Sequence, residues 1–235
     1  MKKILYIFPH PDDESFGPAP AISAQLRQGN EVYLLTLTKG EATSQRFKLN
    51  LSKQQMGEIR YREMQCVEKV LGLTDMTVLD LPDNELKYLD PIIIEETVSK
   101  HIQLVEPDIL VTYAVHGISG FHDHLVTHAV VKRVFCQMKR SSDNHPDRLA
   151  LFTRIGETDF TGKFRLEAST EKEIGFIENC TDVDMEKFRK ALDCYKTYAD
   201  VIEASKVKEI VTNEVPFEIF GEDLNTRLNS ITEGL

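Results

Sequence analysis

No apolar stretch in this 235-residue chain approaches the roughly 20 residues of a membrane-spanning helix. The N-terminal residues also lack the long apolar run and small-residue cleavage site of a secretory signal. Basic residues are in the minority: 28 Lys and Arg against 38 Asp and Glu leave a formal charge of −10. A general nucleic-acid surface needs a basic patch, so no nucleic-acid partner is expected. Cysteine is scarce, and Cys66, Cys136, Cys180 and Cys194 form neither a C-x-x-C pair nor a zinc-ribbon spacing. They read as reduced packing residues of a cytoplasmic protein, and any metal site is therefore expected to use His and carboxylate. No G-x-G-x-x-G follows the first apolar run, which argues against a dinucleotide site. Internal repeats, low-complexity tracts and linkers are missing as well, and the length suffices for one sizeable core.

What is present is concentrated between Ile7 and Gly17, where His10, Asp12, Asp13 and Glu14 follow the apolar run Ile4-Leu5-Tyr6-Ile7-Phe8. Bounded by Lys2-Lys3 and Pro9, that run reads as a short buried strand. In an open α/β sheet, ligands bind at the loops leaving the carboxyl ends of the strands. Four ionisable groups in five positions repel one another unless something neutralises them, and a divalent metal would do so. A carboxylate beside such a metal can take a proton from bound water. The plainer alternative is an acidic turn capping the next helix.

Apolar runs then alternate with helical patterns. Helix is expected over 19–28, 54–71, 91–105 and 123–139, and strand over 31–38, 76–81 and 108–115. The polar stretch 39–53 reads as a long mobile loop beside the site. This alternation implies an α/β, Rossmann-like fold with a mainly parallel sheet and helices on both faces. Beyond residue 140 the alternation fades. The expectation there is a polar loop over 141–148, a strand at 149–154, a hairpin within 161–178, a helix over 182–199 and a last strand at 215–220. One domain over 1–235 is expected, with a Rossmann-like core (1–140) and a C-terminal elaboration (141–235).

Four of the seven histidines, His116, His122, His124 and His128, fall within thirteen positions after the fourth expected strand. His124 and His128 are spaced to share one helix face, a pairing used by many metal sites. With this second cluster the chain resembles the LmbE/PIG-L family of zinc-dependent de-N-acetylases. The resemblance rests on His10-Pro11-Asp12-Asp13-Glu14, Arg60-x-x-Glu63 with Leu71-Gly72, Leu79-Asp80-Leu81-Pro82-Asp83, and Ser119-Gly120-x-x-Asp123-His124. It implies that His10, Asp13 and His124 bind zinc, with ferrous iron the alternative metal. It also implies that Asp12 is the general base and that Arg60 contacts the substrate sugar.

The implied activity is removal of an acetyl group from an N-acetylated amino sugar or its glycoside. The implied partners are that small molecule and further copies of the chain in a symmetric oligomer. The fourth motif departs from the family's Gly-His-Pro-Asp-His, because Phe121 holds the position of a catalytic histidine and His122 replaces proline. Either His122 takes over that duty, or Asp12 serves as base and then acid, or catalysis is weakened. His116 is a further candidate. The favoured reading is Asp12 in both roles with help from His122. A zinc amidohydrolase for another small acylated amine, and a metal- or sugar-binding module without turnover, are the rival readings.

Overall fold

The run after Lys2 forms β1 (Lys3–Phe8), and its alternation places Ile4, Tyr6 and Phe8 in one hydrophobic cluster and Leu5 and Ile7 in another. A strand buried on both faces belongs to a parallel sheet covered by helices on each side. The computed structural model describes residues 1–141, 146–157, 159–161 and 164–235. After β1 come α1 (Ala19–Arg27), β2 (Glu31–Thr38), α2 (Gln45–Lys48), α3 (Lys53–Leu71), β3 (Asp75–Leu81), α4 (Pro91–Val105), β4 (Ile109–Tyr113) and α5 (His122–Ser141). Then follow β5 (Arg148–Phe152), β6 (Asp159–Thr161), β7 (Phe164–Leu166), β8 (Ile174–Asn179), α6 (Asp182–Cys194), α7 (Ala199–Ser205), α8 (Val207–Ile210) and β9 (Glu214–Ile219).

Seven strands form one sheet in the order β3-β2-β1-β4-β5-β9-β8, parallel from β3 to β5 and antiparallel beyond. The chain winds outward from β1 through β2 to β3, then returns to place β4 on β1's other side. The carboxyl ends of β1 and β4 therefore flank the switch point, where a ligand crevice is expected. One face is covered by α1, α3 and α6 through residues such as Ile22, Val67 and Phe188; the other is covered by α4 and α5 through Val98, Ile102 and Val131.

Local chemistry explains the long helices. Ser52 and Gln55 make reciprocal bonds at the start of α3, and Gly72 ends it with φ 80°. Asp90 caps α4 with Pro91 at its first position.

The elements depart from expectation in three places. The stretch 39–53 contains α2 and is tied down, since Asp83 Oδ2 accepts from the Ala42 amide at 2.6 Å and the Thr43 hydroxyl accepts from Tyr198 at 2.6 Å. The hairpin expected within 161–178 is instead β6 with β7, while β8 joins the main sheet beside β9. The helix expected to run to residue 199 ends at Cys194, followed by a 3₁₀ turn over Lys196–Tyr198. Residues 142–145 of the expected polar loop lie outside the described residues.

The cysteine expectation is corrected too. Cys66 and Cys194 are joined in a disulfide across 128 residues, because α3 and α6 pack together and bring their Cα atoms to 5.8 Å. Cys136 and Cys180 are free. Since such bridges persist in oxidising compartments, cysteine usage no longer supports a cytoplasmic setting. Among the described residues, no helix is long and apolar enough to cross a membrane.

Candidate metal centre and active site

The loop after β1 and the loop after β4 meet at the switch point, and they bring His10, Asp13 and His124 together. One ligand-type atom from each lies within 4.8 Å of the others. His124 stands in the first turn of α5, with its ring stacked on Tyr113 at 4.4 Å. Its Nδ1–H donates to the Gly117 carbonyl at 2.9 Å, which assigns the lone pair to Nε2. Gly117 has φ 61°, and a Cβ there would sit 2.8 Å from His124 Cβ, so only glycine allows this approach.

Nε2 of His124 faces Asp13 Oδ1 at 3.3 Å. Burial keeps the His124 ring below its ordinary pKa. Burial works against an ionised Asp13, but the imidazoles of His124 and His10 and the Tyr113 hydroxyl hold it down at about 2. An imidazole lone pair thus confronts an ionised carboxylate, a donor set that fits a divalent cation between them.

His10 is held from behind. Its Nε2 lies 3.2 Å from Asp123 Oδ2 and 3.3 Å from Asp83 Oδ1, while its Nδ1 is 3.5 Å from Asp13 Oδ2. Carboxylates on the far nitrogen of a metal-binding histidine fix its tautomer and raise its basicity. Burial disfavours the charged ring, yet the carboxylates of Asp123, Asp13 and Asp83 prevail and raise His10 to about 10. Asp123 Oδ1 is buried with no hydrogen-bond partner, a further mark of negative charge in excess at this point. His128 lies one turn beyond His124 and donates Nδ1–H to the Tyr113 carbonyl at 2.8 Å.

Asp12 sits beside this set in an unusual conformation. Its φ of 89° costs a non-glycine residue about 1–3 kcal/mol. The Asp12 carboxylate accepts from Arg60 Nη2 at 2.6 Å, and the same nitrogen donates to the Pro11 carbonyl at 2.5 Å. Burial, with Asp13 and Glu14, outweighs Arg60 and His10 and pushes Asp12 up to about 8. Arg60 was expected to reach substrate, but it is 2% exposed. Its Nη1 donates to the Gly40 carbonyl at 3.1 Å, and its guanidinium lies 4.1 Å from the Tyr198 ring. A side chain at Gly40, where φ is 62°, would collide with it.

His122 is exposed at the start of α5, where its Nδ1 lies 3.5 Å from Lys87 Nζ. Phe121 is 48% exposed and turns an edge to the His124 ring at 5.6 Å. His116 faces Thr153 and Ser169 at 3.2 and 3.3 Å and accepts from the Ile118 amide.

Sequence reasoning left four site residues without a role. Asp83 and Asp123 stood within quoted motifs; one follows β3, the other lies in the first turn of α5, and both face His10. Tyr113 reads as one more apolar strand residue, although its hydroxyl donates to Asp13 Oδ1 at 2.7 Å. Tyr195 reads as part of a core stripe.

A candidate metal-ligand set at the switch point of such a sheet fits an LmbE-like α/β protein. The chain belongs to the PIG-L family, whose model, described as GlcNAc-PI de-N-acetylase, matches residues 5–135. A relative from Bacillus subtilis, a probable N-acetyl-alpha-D-glucosaminyl L-malate deacetylase 2, is 28% identical over 66% of this chain and 72% of its own length. The chain spans about half the length of most of the curated relatives it matches. Among solved structures, the N,N'-diacetylchitobiose deacetylase of Pyrococcus horikoshii aligns with a TM-score of 0.65 at 19% identity, over 93% of this chain and 83% of that one. The 4-carboxy-2-hydroxymuconate hydratase GalB of Pseudomonas putida aligns equally well at 14% identity, TM-score 0.65, over 97% and 100%. These structural likenesses establish the fold, which hosts more than one chemistry.

Proposed function

We propose that this protein is a zinc-dependent N-deacetylase that releases acetate from an N-acetylglucosaminyl compound. The observation that carries the reading is the convergence of His10, Asp13 and His124 with Asp12 beside them. Relatives support the substrate class: their names share an N-acetylglucosamine group while the attached group varies. When bound, zinc supplies Lewis acidity towards a carbonyl and lowers the pKa of water from 15.7 to about 7.

Within this reading the chain's own residues have separate tasks. His10, Asp13 and His124 hold the metal. Tyr113 braces Asp13, while Asp83 and Asp123 brace His10. Arg60 grips one oxygen of Asp12. We assign the carboxylate's other oxygen to the proton of the attacking water. A single carboxyl so placed can accept this proton and then return it to the departing amine. Asp12 thereby serves as base and acid. His122, out beside Lys87, is assigned no proton transfer, and Arg60 acts behind Asp12 rather than on the sugar. Phe121 offers an apolar edge next to His124, suited to packing against substrate.

Metal analysis of the purified protein, followed by an acetate-release screen, tests the reading. The expected result is one zinc per chain and acetate from an N-acetylglucosamine derivative. Iron in place of zinc would revise the metal alone. Acetate only from other acylated amines would overturn the substrate class. Stoichiometric metal with no release from any amide would favour a binding module.

A further inference from the structure

The residues following α6 lie outside the segment matched by the family model, yet they close over the back of the β1 loop. Tyr195 is 1% exposed, and its hydroxyl sits between two groups of that loop. It accepts from the Asp12 amide at 2.9 Å and donates to Glu14 Oε1 at 2.6 Å. The neighbours of Tyr195 are anchored in turn. Cys194 is bonded to Cys66 on α3. The Thr197 amide and hydroxyl each donate to Glu63 at 2.7 Å. Tyr198 lies against the Arg60 guanidinium. Three residues of this segment, Cys194, Thr197 and Tyr198, are thus fastened to the helix that supplies Arg60.

Asp12 needs such support. A side-chain-bearing residue persists at φ 89° only when its surroundings hold it there. Arg60 fixes the carboxylate and the preceding carbonyl, and Tyr195 fixes the amide. Packing alone would be satisfied by a phenyl ring, whereas this hydroxyl both accepts and donates in a buried position.

We infer that Tyr195 is a positioning residue, which locks the backbone of Asp12 so that the carboxylate meets the proton it transfers. Tyr195 touches neither substrate nor metal. The inference rests on the reading of Asp12 as the base, and the test separates the two.

Tyr195→Phe removes one oxygen and keeps the ring. A small misplacement of a reacting group can cost about a hundredfold, so the kcat for acetate release should fall roughly 10–100-fold. KM should stay within about twofold, because ground-state binding is untouched. Metal content should be unchanged. In the metal-free protein, the Asp12 amide should exchange its hydrogen about tenfold faster once its acceptor is gone. In an Asp12→Asn background the same change should have little further effect, since both act through one group.

Wild-type kcat in Tyr195→Phe, with Asp12→Asn inactive, would reduce Tyr195 to packing and leave the base reading intact. Unaltered Asp12 amide exchange would overturn the inference as well. Turnover retained in Asp12→Asn would overturn the base reading and the inference with it. If Tyr195→Phe does not fold, Glu14→Gln weakens the same relay from its other end and should lower kcat about 3–10-fold; an unchanged kcat there would count against the proposal.

Discussion

The two loops that build the centre are made differently. The β1 loop is buried and bonded at nearly every polar position: Asp13 is 4% exposed, while Glu14 and Ser15 are fully buried. The β4–α5 loop leads into His124 and is more open, with Val115 65% and Phe121 48% exposed, although Ala114 and Gly117 within it are buried. Fixed charge demands a rigid, desolvated frame, because a misplaced buried carboxylate is costly and a misplaced base is slow. A surface that meets varied ligands needs no such frame. Substitutions in the first loop should therefore act on metal and turnover, whereas in the second only Gly117, Asp123 and His124, which face the centre, should matter as much.

The largest effects should come from the proposed ligands. His10→Ala and His124→Ala should each lose metal and turnover together, as read by elemental analysis and acetate release. Asp123→Asn should retain a folded protein but weaken metal affinity about 10–100-fold, the usual cost of losing a carboxylate behind a ligating histidine. Unchanged affinity in a metal-competition titration would show that His10 needs no bracing.

Support from outside the loop should matter next. Reducing the Cys66–Cys194 bridge, which closes a loop of more than 100 residues, should lower stability by about 2–4 kcal/mol in a denaturant titration. Asp184 anchors α6, the helix that delivers Tyr195. Its carboxylate accepts from Ser23, Arg27 and Thr181. Burial opposes its charge, but these bonds hold it down at about 2. Its contribution is complete above the unfolded carboxylate value near 3.9 and is lost as pH falls towards about 2. Asp184→Asn should cost roughly 1–2 kcal/mol at neutral pH, and the gap to wild type should close across that acid window. A gap that persists at pH 2 would mean the loss is packing rather than charge.

The smallest effect should be in the open loop. His122→Ala should change kcat less than about threefold, against the 10²–10⁴-fold typical of a lost acid–base group. A fall within that larger range would return His122 to the chemistry and contradict the contrast between the loops.

Much of this was legible in the residues. β1 to β4 appear as apolar runs, and the starts of α3 and α4 carry capping residues. His10, Asp13 and His124 stand in short motifs whose spacing reflects local geometry. Contacts between distant segments were not legible. Tyr195 and Glu14 are 181 residues apart, and Cys66 and Cys194 are 128 apart. No local pattern pairs them; only the packing of α6 on α3 does. The surroundings of Arg60 were hidden for a related reason. An arginine on a polar helix is normally exposed, and its burial becomes visible only once Asp12, Pro11 and Gly40 surround it. The antiparallel edge was likewise hidden, because β9 inserts between β5 and β8 out of chain order.

The most direct single measurement is made on Asp12→Asn, with metal content and acetate release determined on the same preparation. Metal should remain at the wild-type stoichiometry while kcat falls about 10²–10⁴-fold. Near-normal kcat with the metal in place would show that another group takes the proton, and loss of the metal would make Asp12 a ligand instead of the base.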